Sequence, residues 1–234
     1  MDRAGLLLHF FSARRYRRAS GKGGLNFLYA ALDPRGQGRS QVAPSGYTAD
    51  RRTEDIAEFV ARYPRVVLVG WSLGALEGLH YIRAHGDTKL AGLVLVDSSV
   101  GEPPAPPASD FRGALERDRA RALDEFVRAM FRTPRSEAEI AQLTADALRL
   151  PLAASLALLS YPYPREHWRA AAHAVQAPLL YVVTPQFAEQ AQNLKRNRPQ
   201  TETVVFERAG HALFVDEPER FNALLEEFAD RVAR

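Results

Sequence analysis

The sequence contains no cysteine, which rules out disulfides, thiol nucleophiles and cysteine-bound metals as parts of its chemistry. No apolar run approaches the ~20 residues that a membrane-spanning helix needs. The first residues carry no secretory leader pattern, so a cytoplasmic protein without membrane insertion is expected. Internal repeats and low-complexity tracts are also missing. Net charge is scarce: Lys+Arg number 31 against 28 Asp+Glu, a formal +3, too little to argue for a nucleic-acid partner. That charge is unevenly spread. Residues 1–40 hold Arg3, Arg14, Arg15, Arg17, Arg18, Lys22, Arg35 and Arg39 against Asp2 and Asp33 alone. What the chain does have is 234 residues, 46% of them hydrophobic, enough for one sizeable core with an insertion.

The stretch over residues 65–77 organises the rest. Residues 66–69 are a short β-branched apolar run, as expected of a strand buried on both faces of a parallel sheet. Gly70-Trp71-Ser72-Leu73-Gly74 follows, the pattern G-x-S-x-G. Residues 75–84 then read as a helix with Ala75, Leu76, Leu79 and Ile82 on one face. A strand that turns into a helix this abruptly needs small residues beside the serine, which Gly70 and Gly74 provide. The turn pushes the hydroxyl clear of the sheet and sets it by a helix N-terminus.

On either side the chain alternates. A strand over 5–8 ends at His9, and Ser12 can cap a short helix over 13–19. A second strand is expected over 25–32, a helix over 48–63 and a buried strand over 90–96, ending at Asp97. This is the pattern of a doubly wound, mostly parallel α/β sheet. After a proline-rich linker at Pro103, Pro104, Pro106 and Pro107, residues 101–177 read as helices only, four pieces in all. The pattern then resumes with strands over 179–183 and 203–206, a helix between them, and a final helix over 218–232. Residues 1–100 and 178–234 are therefore expected to form the core. Residues 101–177 form a helical cap over the C-terminal ends of the strands, where such sheets bind ligands.

Three motifs carry a family resemblance: Gly70-Trp71-Ser72-Leu73-Gly74, the loop Asp33-Pro34-Arg35-Gly36-Gln37-Gly38-Arg39-Ser40, and Gly210-His211 ahead of Phe214-Val215-Asp216-Glu217-Pro218. In order and spacing they resemble the α/β-hydrolase fold over nearly the whole chain. Within it the chain is most similar to small carboxylesterases and pimeloyl-[acyl-carrier-protein] methyl ester esterases. The resemblance implies a β-hairpin ahead of the first strand here. Its absence predicts a sheet about two strands short, roughly six in all, with a newly exposed edge.

The resemblance also implies roles. Ser72 would be the nucleophile, which needs a base within hydrogen-bond reach. His211, late in the chain and in a loop, follows the order serine, acid, histidine of this fold. Relatives usually place an aspartate after the strand over 179–183, but the loop here reads Thr184-Pro185-Gln186-Phe187-Ala188-Glu189. Asp97, at the end of the preceding strand, and Glu189 are the two candidate acids. The oxyanion hole would take the N–H of Leu73 and that of Phe11, with Phe10 replacing the usual glycine of a His-Gly-x turn. Trp71 and Phe10 are expected to face substrate. His80 and His85 do not share a helix face, so no metal site is implied, and no organic cofactor is expected.

These features predict hydrolysis of a small-molecule carboxylic ester. A second reading adds an acidic acyl carrier protein as partner, docking on Arg14, Arg15, Arg17 and Arg18. A third is a non-catalytic binding protein, favoured by Phe10 and by the missing aspartate.

Overall fold

The computed structural model describes residues 4–9, 18–20 and 26–233. Among them seven strands form one sheet: β1 (Ala4–His9), β2 (Arg18–Ser20), β3 (Asn26–Ala31), β4 (Arg65–Trp71), β5 (Leu90–Val96), β6 (Leu179–Val183) and β7 (Glu202–Val205). Their spatial order is β2-β3-β1-β4-β5-β6-β7. Every neighbouring pair runs parallel except β2 with β3.

The three central strands show why the sequence reads as unbroken apolar runs. Val66 and Leu68 of β4, Leu93 and Leu95 of β5, and Leu179, Tyr181 and Val183 of β6 enter one core cluster. Their alternates, Val67, Val69, Trp71, Val94, Val96, Leu180 and Val182, enter a second cluster on the other face. A strand covered on both sides has no polar face to alternate with. The first layer is closed by α1 (Ala49–Val60), α2 (Leu73–His85), α7 (Arg165–Ala174) and α8 (Ala188–Asn197), through Ile56, Leu79, Trp168 and Leu194 among others. Thr48 caps α1 by accepting from the Arg51 N–H. The opposite layer is closed by α9 (Pro218–Val232), whose Phe221, Leu225 and Phe228 recur at helical spacing, with proline at its first position.

Between β5 and β6 lie α3 (Phe111–Arg117), α4 (Arg119–Ala129), α5 (Glu137–Leu148), α6 (Leu152–Leu158) and α7. Val127, Met130 and Ile140 pack with Trp71, while Leu150, Ala154 and Leu158 pack with Tyr47 and Leu73. The helical segment thus meets the core at the C-terminal end of β4. Ser136 and Glu139 form a capping box on α5. Among the described residues no helix is long and apolar enough to cross a membrane.

Three expectations need correction. The sheet has seven strands rather than about six, the additional one being the short antiparallel β2 on the edge beside β3. Residues 18–19, expected at the end of a helix, lie in that strand, where pairing with β3 outweighs the helix preference of Arg and Ala. The other residues of that helix, and Phe10 and Phe11, lie outside the described residues. Finally, the first of the four helical pieces expected within residues 101–177 is two helices, α3 and α4. Asp118 is extended (φ −150°, ψ 90°) and accepts from the Arg121 N–H, so a residue read as part of a continuous helix is an N-cap that starts a new one.

Candidate active site

Trp71 ends β4 and Leu73 opens α2, leaving Ser72 alone to turn the chain. It does so at φ 54° and ψ −120°, a conformation that costs a residue with a Cβ about 1–3 kcal/mol. The turn holds because Ser72 N donates to Val96 O (2.9 Å) on β5 and Ala75 N donates back to Ser72 O (3.0 Å). Gly70 allows it. A Cβ at that position would lie 2.5 Å from the Gly74 carbonyl carbon and 2.8 Å from Ala75 N, so the first turn of α2 can fold back only over a residue without a side chain.

Among the described residues one other non-glycine position has positive φ, Asp97 at 44°. It follows β5, and Trp71↔Val96 are register partners, so both strained residues leave the sheet at the same level on adjacent strands. Asp97 is held by its backbone N–H, which donates to Val182 O (2.8 Å). Its Oδ1 accepts from Thr184 N (2.7 Å) and Thr184 Oγ1 (2.8 Å). Its Oδ2 lies 2.7 Å from His211 Nδ1. A carboxylate only accepts, so Nδ1 carries the proton and Nε2 is the free basic nitrogen of the neutral ring. Asp97 is 1% exposed and His211 25%, which dries one end of the pair and leaves the other accessible. His211 is further fixed through Trp71, whose indole N–H donates to the His211 carbonyl (2.8 Å) and whose ring lies 4.9 Å from the imidazole.

A strained serine after a β-strand, a histidine with its Nδ1 fixed by a buried carboxylate, and a parallel sheet that brings both to one edge define a recognisable arrangement. The model of the alpha/beta hydrolase family matches residues 6–224, nearly the whole chain. The chain belongs to the alpha/beta hydrolase family. It is 25% identical over 230 residues to the AB hydrolase superfamily protein YisY of Bacillus subtilis, covering 87% of this chain and 82% of that one. It is 27% identical over 181 residues to a pimeloyl-[acyl-carrier protein] methyl ester esterase of Neisseria meningitidis, covering 70% of each. Of solved structures, the esterase EaEST from Exiguobacterium antarcticum superimposes with a TM-score of 0.77 at 19% identity, over 99% of this chain and 92% of that one.

Within this alpha/beta hydrolase, the other acid weighed from sequence is elsewhere: Glu189 is exposed on α8, while Thr184 of the same loop holds Asp97. Trp71, expected to face substrate, is 5% exposed and its N–H is committed to the histidine loop. Leu73 opens α2 beside Ser72, as a backbone donor to an oxyanion would have to. In β1, His9 is in register with Gly70. His80 bonds His167 through one ring nitrogen (3.0 Å) and Asp50 through the other (2.7 Å), tying α1, α2 and α7 together rather than converging on a metal. Among the described residues no group of three or more His, Cys, Asp or Glu side chains is arranged to hold a metal ion.

Sequence reasoning assigned no role to Asp216, which closes the histidine loop. Its carboxylate accepts from Gly210 N (2.7 Å), Arg132 N (2.9 Å), Thr133 N (2.9 Å) and Thr133 Oγ1 (2.5 Å). Ala212 N adds a bond to Met130 O (2.8 Å). A Cβ on Gly210 would meet Met130 O at 2.7 Å, so the two segments approach as closely as backbones can. The only local sign of this clamp is an acid five positions after His211. Partial burial pushes the Asp216 carboxyl up, but the bonds from Thr133, Gly210 and Arg132 outweigh it and hold the pKa below the ordinary 3.8. A depressed carboxyl contributes stability that is complete above its unfolded pKa and is lost as pH falls through the folded value. Asp216→Asn is therefore expected to unfold about 1–2 kcal/mol more easily than the parent at pH 7. Denaturant titrations should show that difference shrinking at pH values below 3.8. A gap that stays constant across that range would remove the carboxylate from this role.

Proposed function

We propose that this protein is a serine esterase that cleaves carboxylic esters through an acyl-enzyme on Ser72. The observation that carries the reading is the Asp97–His211 pair (2.7 Å) beside the strained turn at Ser72. His211 Nε2 takes the hydroxyl proton as Ser72 Oγ attacks the ester carbonyl carbon. The same proton passes to the leaving alcohol as the C–O bond breaks. Asp97 keeps Nδ1 protonated and stabilises the imidazolium without taking its proton. The N–H of Leu73 donates to the developing oxyanion, and the family resemblance assigns the second donor to Phe11. Water, deprotonated by His211, then attacks the acyl-serine and releases the acid. The esterases among the relatives support the same class of reaction.

The test is covalent labelling of the intact chain with a fluorophosphonate probe, alongside hydrolysis of p-nitrophenyl butyrate. Labelling and turnover together are expected. A chain that shows neither is a binding protein on a hydrolase fold, and the esterase reading falls.

A second reading rests on the Neisseria relative and on the basic residues near the N-terminus: a methyl ester carried on an acidic acyl carrier protein. Neutralising Arg14, Arg15, Arg17 and Arg18 would then slow the carrier-linked substrate while sparing small esters. Equal effects on both would count against a carrier.

A further inference from the structure

Asp97 is buried, strained and bonded to one ring nitrogen of His211, so whatever fixes its carboxylate bears on the proposed reaction. The torsion that turns an aspartate carboxylate about its Cβ–Cγ bond is broad, and a single partner leaves the plane of the group free to swing. Asp97 is 1% exposed, which leaves its bonds to the protein rather than to bulk water. Oδ2 is committed to His211 Nδ1 (2.7 Å). Oδ1 is met by two donors from one residue, Thr184 N (2.7 Å) and Thr184 Oγ1 (2.8 Å). A carboxylate only accepts, so the threonine hydroxyl is a donor here.

Local structure does not account for that hydroxyl. Thr184 directly follows β6 in an extended conformation (φ −83°, ψ 172°) and is the N-cap of a single 3₁₀ turn over Pro185–Phe187. A threonine at an N-cap ordinarily accepts from an N–H of the turn that it begins. Here the side chain makes no such bond. The turn closes through backbone alone, with Phe187 N donating to Thr184 O (3.1 Å), and Pro185 has no N–H to be satisfied. The hydroxyl is directed to the end of β5 instead. A β-branched side chain has few χ1 wells, so Oγ1 stays where the backbone puts it.

The backbone on either side of this contact is fixed by other bonds. Asp97 N donates to Val182 O (2.8 Å), and the Tyr181 O–H donates to Ser98 O (2.6 Å). Burial holds the Tyr181 phenol well above its ordinary pKa, with Asp97 and Glu102 adding to the effect, so this O–H remains a donor. Asp97 therefore has anchors for its place and its φ of 44° besides the Thr184 hydroxyl. What the hydroxyl adds is a second point on Oδ1, which fixes the carboxylate plane and aims Oδ2 at Nδ1. On the serine-esterase reading, we infer that Thr184 is a positioning residue whose hydroxyl acts through Asp97 to align His211 for proton transfer from Ser72. Small errors in such alignment cost rate rather than binding.

The test compares kcat and KM for p-nitrophenyl butyrate, and the rate of fluorophosphonate labelling, which reports attack by Ser72 alone. Thr184→Val keeps the branched shape and the N–H and loses the hydroxyl donor. It is expected to lower kcat and the labelling rate about tenfold, with KM within about twofold, the scale of one hydrogen bond to a charged group. Thr184→Ser restores the donor and should recover to within about threefold of wild type, whereas Thr184→Ala, equally short, should stay as slow as the valine variant. The serine and alanine pair preserves the comparison if the valine variant does not fold. The deciding measurement repeats the valine change in Asp97→Asn, where a residue acting through the carboxylate should cost less than about twofold. Wild-type rates in Thr184→Val, serine no faster than alanine, or the same tenfold loss in both backgrounds would each overturn the inference. A wild type that neither labels nor turns over overturns the esterase reading instead.

Discussion

Replacing Ser72 by alanine is expected to lower kcat toward p-nitrophenyl butyrate by about a million-fold, with little change in KM. Alanine keeps the Cβ and therefore the strained turn at φ 54°, so the fold, the Asp97–His211 pair and the oxyanion donors stay in place. On the serine-esterase reading, what disappears is the oxygen that forms the acyl bond. Backbone donors and binding alone retain about 10³–10⁴-fold over uncatalysed hydrolysis in comparable sites, so a faint residual rate is expected rather than zero. Fluorophosphonate labelling should vanish while the melting temperature is unchanged. Activity within tenfold of wild type would mean that another nucleophile does the work, and the mechanism would have to be rebuilt around it.

Asp97→Asn should cost about 10⁴-fold in kcat, and for a different reason. The carboxylate meets two kinds of partner: Oδ1 takes the N–H and O–H of Thr184, and Oδ2 takes His211 Nδ1. Asparagine can satisfy Thr184 with its carbonyl oxygen, but its NH₂ then faces Nδ1 and turns that nitrogen into an acceptor. The imidazole proton moves to Nε2, the nitrogen that must accept from Ser72, and the base is lost with its geometry nearly intact. Glu189→Gln, on the exposed side of α8, should change kcat by less than about twofold, within ordinary surface effects. The reverse ranking of the two variants, measured as kcat with matched circular dichroism, would move the acid back to the loop after β6.

The turn at Ser72 was legible in the sequence because its causes are local. Two glycines flank the serine, a β-branched run precedes it and a helix follows, and each signal acts over a few residues. The alternation of strands and helices was legible for the same reason, and most boundaries fall within two or three residues of expectation. Features set by distant partners were not. Residues 18–19 read locally as helix and become part of a strand only because the edge of β3 is available to them. Asp118 looks like one more polar residue on a helix until its side chain is seen capping α4. Arg52 and Glu77 sit on the helical faces where sequence places ordinary surface charge, and burial between α1 and α2 appears only once the helices pack. The bond between Asp97 and His211 spans 114 positions, and it was anticipated through the family resemblance, with Glu189 as the alternative acid, rather than from either local segment.

The bonds joining residues 130–133 to residues 210–216 bear on how such proteins can be recombined. The helical segment between β5 and β6 looks like a cassette that could be exchanged for another to change substrate range. Here one carboxylate, Asp216, is shared between the end of that segment's α4 and the loop that carries His211. A chimera that imports a foreign segment replaces half of the socket that seats the histidine. Grafts into this chain would therefore disturb proton transfer along with specificity, unless Met130 through Thr133 travel with the host.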